Sequence, residues 1–206
     1  MALTSEEFEA GVAYWRTSGF DADLHNSFYA QMAAINADYT FDQAWWMRFL
    51  PKLGAWRATR PYSYAAITEW ALPLLGSLQA TWEQTVSQCI AGDIASVEWG
   101  QVAAFPKLIA EIKPTKSQSP VFASKFCHFL APRIFPVVDN AALGMAHLDY
   151  ARYYATVRSE WLATSAVVRE ALIEQLRTEI GVEPFRGYPF ETKAIELCLI
   201  GRNHAV

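Results

Sequence analysis

The sequence predicts an all-α, compact multi-helix fold, and three observations carry that expectation. Val168, Leu172, Leu176 and Ile180 recur every four residues, the spacing that lines one buried helical stripe. Small polar residues suited to capping, such as Ser5, Asp23 and Asp42, stand ahead of apolar-periodic segments. No stretch shows the sustained apolar/polar alternation of a half-buried strand.

Taken in order, Ser5 followed by Glu6, Glu7 and Phe8 opens a first helix that stops before Gly19. Asp21 or Asp23 caps a second, running to about Asn36. Thr40 or Asp42 begins a third, containing Trp45, Trp46, Phe49 and Leu50, and Pro51 kinks or ends it. Beyond Arg60-Pro61 a helical pattern covers 63–90, bent at Pro73 and closed by Gly92. Another helix spans 98–112, and the polar, proline-bounded stretch 113–120 is the clearest loop. A helix carrying Lys125, a helix headed by Asp139 and one long helix through Trp161, Val168, Leu172 and Leu176 follow. Gly181 caps the long helix, and a last helix covers 192–200.

Hydrophobic residues make up 52% of the 206 and charged residues 18%, enough to bury a large core and too apolar for disorder. The length fits one helical domain over 1–206, or one with two helical lobes and a site between them. A formal net charge of −4 argues against an indiscriminate nucleic-acid binder but leaves room for a local basic face. Cys89, Cys127 and Cys198 form no CxxC pair, so reduced thiols in a cytoplasmic protein are expected, with no metal and no cofactor. The acidic N-terminal stretch lacks a signal-sequence pattern, and no apolar run is long enough for a membrane span. Walker, zinc and Ser-His-Asp motifs are absent. Oligomeric state is not set by the sequence.

The functional signal lies in SPVFASKFCHFLAPRIFPVVDNAAL, residues 119–143. Lys125, Phe129 and, more loosely, His128 share a helix face. Ala131-Pro132 ends that helix, because a residue before proline avoids helical geometry. Val137 and Val138 anchor in the core and deliver Asp139 to the start of the next helix. Each residue has two readings at this stage. Asp139 is an N-cap or a catalytic carboxylate, Lys125 a surface lysine or a reactive amine, and His128 a buried, satisfied histidine or a substrate contact.

This segment resembles the helix-hairpin-helix DNA glycosylase superfamily, in which a lysine near a helix start is followed by an apolar-apolar-aspartate run heading the next helix. Lys125 and Val137-Val138-Asp139 stand at those positions. Pro120-Val121-Phe122-Ala123-Ser124 stands where the family carries closely spaced glycines, and the lysine–aspartate interval is shorter, so the resemblance implies a divergent relative. It implies a two-lobed helical arrangement and a base-excising N-glycosylase acting on a modified nucleobase in nucleic acid or a nucleotide. Lys125 and Asp139 are then catalytic, the carboxylate stabilising positive charge on the sugar and the amine forming a Schiff base, with His128 contacting substrate. The alternative is a non-enzymatic helical module that binds nucleic acid or a protein.

A second segment, 43–68, holds Arg48, Lys52, Arg57 and Arg60 with no acid, interleaved with Trp45, Trp46, Trp56, Tyr62 and Tyr64. The cations suit phosphates and an aromatic wall suits a splayed base, which makes Trp45, Trp46, Arg48 and Arg57 candidate substrate contacts. The competing reading packs the tryptophans in the core and leaves the cations as a solvated face. Lys107, Lys113 and Lys116 form a weaker basic cluster, and His147 and His204 have no partner identifiable from sequence.

Overall fold

A computed structural model describes residues 1–113, 119–140, 142–144 and 149–204. Among these residues all regular structure is helical, as expected. The first three helices are α1 (Ser5–Thr17), α2 (Asn26–Ile35) and α3 (Gln43–Ala55). Next come α4 (Tyr64–Ala71), α5 (Leu75–Gln84), α6 (Trp99–Val102) and α7 (Ala104–Ile112). The set is completed by α8 (Val121–Leu130), α9 (Tyr150–Ala163), α10 (Ala166–Ile180) and α11 (Phe190–His204). None of the described helices is long and apolar enough to cross a membrane.

Capping chemistry fixes most starts. Thr4, one residue before the expected Ser5, caps α1, and Glu7 completes a capping box. Asp42 caps α3 by accepting from Trp45 N at 2.6 Å. Ser63 caps α4 and Gly181 closes α10 in the left-handed conformation. Pro73 lies in a short 3₁₀ turn between α4 and α5, the bend expected there.

Several expectations need correction. α2 starts at Asn26 with His25, in the left-handed conformation, at its cap, and the Asp23 carboxylate accepts from the N–H and hydroxyl of Ser27 in the first turn without heading the helix itself. Pro51 does not end α3: the helix runs four residues further, with Met47, whose carbonyl loses its partner, on the exposed face. The long helix is two, since Thr164 is extended and Ser165 caps α10. The helical pattern at 98–112 is split between α6 and α7. After Asp139 the described residues form a turn and not a helix, although Ala142 N still donates to Asp139 Oδ1 at 3.4 Å. Residues 114–118 of the expected loop, with Lys116, and His147 lie outside the described residues.

Two helices are buried along nearly their whole length, α8 and α11. α11 crosses α1 so closely that the backbones touch. A Cβ on Gly11 would sit 1.9 Å from the Leu197 carbonyl oxygen, and one on Gly201 would sit 1.8 Å from that of Glu7. Arg202 seals this crossing, with Nε 2.7 Å from Glu7 and Nη1 2.8 Å from Glu160. α8 packs against α2 and α7, and its Phe126 meets Phe49 and Trp46 of α3.

Candidate active site

Lys125 sits inside α8 and is 5% exposed. Its Nζ donates to Asp139 Oδ2 at 2.9 Å and to the Trp56 carbonyl at 2.9 Å, and lies 5.9 Å from the Trp56 ring centre. The carboxylate side of the pair is the open one: the Asp139 side chain is 31% exposed against 6% for Lys125.

Asp139 is delivered by the irregular segment 131–138, which is almost wholly buried. A buried loop needs partners for its backbone, and here other elements supply them. Thr192 donates to Pro132 O, the Ile94 N–H to Arg133 O, Tyr150 to Pro136 O and Tyr153 to Val137 O. Val138 N–H donates to Ser124 Oγ at 3.1 Å. Side chains of α8, α9 and α11 thus hold the approach to Asp139 in one geometry. Ser124, Tyr150, Tyr153 and Thr192 carry no motif and were beyond sequence reading.

His128 belongs to the same framework. Its Nδ1 lies 2.7 Å from Phe135 O, a carbonyl that can only accept, so Nδ1 carries the proton and Nε2 accepts from Tyr29 OH at 2.8 Å. Burial holds the imidazole neutral by lowering its pKa to about 3. With both nitrogens spent and 1% exposure, His128 is a strut and not a substrate contact, which corrects that expectation.

The aromatic wall is corrected too. Trp45 and Trp46 are 1% and 0% exposed, and their indole N–H groups donate to Asn36 and Thr68, so neither offers a face for a base. Core packing outweighs stacking for these rings because aromatic burial is the larger gain. The ring beside Lys125 is Trp56, packed on His25 at 4.3 Å and Phe28 at 4.9 Å. His25 is also buried, with Nδ1 lacking a hydrogen-bond partner among the described residues and its pKa lowered by burial and by nearby Lys193, His128 and Lys125.

Arg48 and Arg57 are exposed, as is Arg60. Arg57 has φ 58°, a left-handed conformation that costs a non-glycine residue about 1–2 kcal/mol. Lys113 is no surface cation: it is 6% exposed and donates to Ala58 O at 2.8 Å and Arg60 O at 2.7 Å. Burial lowers its pKa. His204 Nε2 lies 2.7 Å from Ala142 O, and Lys107 is exposed.

A cavity of about 220 Å³ opens beside Tyr29, Met32, Phe129, Arg133 and Phe185, and neither Lys125 nor Asp139 lines it. Among the described residues no group of three His, Cys, Asp or Glu is placed to hold a metal ion. The structure therefore brings Lys125, Asp139 and Trp56 together, keeps Arg57 on the loop that Trp56 begins, and withdraws His128, Trp45 and Trp46 into the interior. No protein-family model, curated protein or solved structure matches the chain.

Proposed function

We propose that the protein is a base-excising N-glycosylase, a divergent relative of the helix-hairpin-helix DNA glycosylases, acting on a modified nucleobase in nucleic acid or a nucleotide through Lys125 and Asp139. One observation carries the reading. An amine and a carboxylate from separate elements meet at 2.9 Å, with the amine withdrawn from water and the carboxylate open to it. The same reading includes the two-lobed arrangement with the site between the lobes, and a cytoplasmic location.

Cleaving an N-glycosidic bond builds positive charge on the sugar. Asp139 supplies the opposing charge, and in a site partly shielded from water such stabilisation is worth about 3–4 kcal/mol. Lys125, anchored by hydrogen bonds to Asp139 and the Trp56 carbonyl, passes a proton to the departing base and presents the freed lone pair to the anomeric carbon. Attack forms the carbon–nitrogen bond, and the base leaves with the electrons of its own bond. The proton released by the new ammonium passes to Asp139. Sugar ring opening then gives a Schiff base. In a water-mediated route Asp139 takes its proton from water instead, and Lys125 only orients it.

The double anchoring of Lys125 favours a second reading, in which the pair pins the α3–α4 connection to Asp139 in a non-enzymatic module that binds nucleic acid or a protein. Borohydride trapping on abasic and damaged-base oligonucleotides separates the two. The enzyme reading expects a reduced covalent adduct that disappears in Lys125→Ala. Absence of both adduct and base release across a broad substrate panel selects the binding module.

A further inference from the structure

We infer that Arg57 is a phosphate-binding residue, held at a glycine position of the fold so that its guanidinium meets the sugar-phosphate backbone of a polynucleotide. This deepens the proposed function and rests on it for the position of the reacting sugar.

Arg57 N–H donates to Gly54 O at 2.9 Å and Ala58 N–H donates to Leu53 O at 3.0 Å. This pair of bonds defines the turn in which the residue after the helix cap takes a left-handed conformation, and glycine is the usual occupant. The accompanying apolar contact positions, Leu53 and Ala58, are both buried, so the turn is fully formed. The chain places an arginine there with φ 58°.

Two buried ammonium groups then fix the loop. Lys125 takes the carbonyl of Trp56, and Lys113 takes those of Ala58 and Arg60. Alternate carbonyls are fastened inward, while Arg57 and Arg60 are exposed. Arg57 has no ion pair among the described residues, and the 43–68 stretch contains no acid to neutralise it. It follows directly on the residue whose carbonyl holds Lys125. An unpaired guanidinium on a rigid loop beside the proposed reacting pair suits the backbone of a nucleotide chain, whose phosphates it can grip with paired N–H donors.

A rival explanation is that Arg57 only complements the negative end of the α3 dipole. The two explanations differ in binding: glycine relieves the left-handed strain in either case, but only a phosphate-binding arginine weakens polynucleotide affinity when it is lost.

The test uses fluorescence anisotropy of labelled single strands carrying a tetrahydrofuran abasic analogue, as DNA and in parallel as RNA, over a range of salt concentrations. The expected result is that Arg57→Gly melts about 2 °C above wild type or higher. It binds about 5-fold more weakly, and its log K against log salt slope falls by about 0.7. Arg57→Lys, which keeps the charge, retains most of the salt dependence. Loss in only the DNA or only the RNA arm identifies the source of the phosphate. Wild-type affinity in Arg57→Gly, a lowered melting temperature with unchanged binding, or no binding of either strand by wild type overturns the inference. Failure of the glycosylase reading is seen separately: neither a borohydride adduct nor base release is found, while the Arg57→Gly binding defect remains.

Discussion

Two buried lysines, each paired with a carboxylate, sit in different settings in this molecule. Lys193 on α11 lies 2.5 Å from Glu196, with side chains 0% and 10% exposed, and its ammonium sits 4.5 Å from the Trp15 ring centre. Lys125 on α8 lies 2.9 Å from Asp139, whose side chain is 31% exposed. The first pair is closed within one helix, beneath the α1–α11 crossing. The second joins two elements and leaves its acid accessible. Burial of the lysine is common to both pairs; exposure of the partner, and the element that delivers it, is what sets the pair proposed to react apart from the closed one.

The comparison breaks most readily at the closed pair. Glu196→Gln leaves an uncompensated buried ammonium and should cost about 3–5 kcal/mol of stability by chemical denaturation. A similar value for Asp139→Asn would erase the distinction. Gly11→Ala forces a Cβ onto the Leu197 carbonyl and should cost about 3 kcal/mol, through separation of α1 and α11. Because this strain lies in the crossing, away from the Lys125–Asp139 pair, its cost should simply add to that of variants at Lys125, with no coupling between them.

Acid tests the strut beneath the site. The unfolded imidazole of His128 takes up a proton near pH 6.5 and the folded one only near 3. Stability from keeping it neutral is complete above pH 6.5 and is lost as the pH falls toward 3. At pH 5 the loss attributable to His128 is about 2 kcal/mol. His25, also held neutral by burial, shifts stability in the same direction. His128→Gln should flatten the fall between pH 7 and pH 5 in denaturant titrations, and an unchanged slope would contradict the assignment. The smallest expected stability effect is at the open pair: Lys125→Met and Asp139→Asn should each cost less than about 2 kcal/mol, because solvent reaches the carboxylate.

Much of this was legible. Asp42 and Gly181 mark helix ends by residue type alone, and the proline-bounded 119–143 segment led to Lys125 and Asp139 because few other stretches combine an ionisable helix residue with a rigid turn. The rest was not. Thr192, Lys193 and Glu196 carry no signal of burial in the sequence, and only tertiary packing encloses them. The α9–α10 break falls in a continuous apolar pattern that a single Ser165 cap overrides. Arg57 gave no hint of its conformation, since glycine is the residue that signals such a turn. Trp56 looked no different from Trp45 and Trp46 until the α3 terminus placed its carbonyl on Lys125.

The most direct test of the central claim measures base release and folding stability together in Asp139→Asn and Lys125→Met. An accessible reacting pair predicts excision rates about 100-fold or more below wild type, with each protein still folded and melting cooperatively. Wild-type rates in both variants, or a wild-type protein that releases no base from any damaged oligonucleotide, would contradict it.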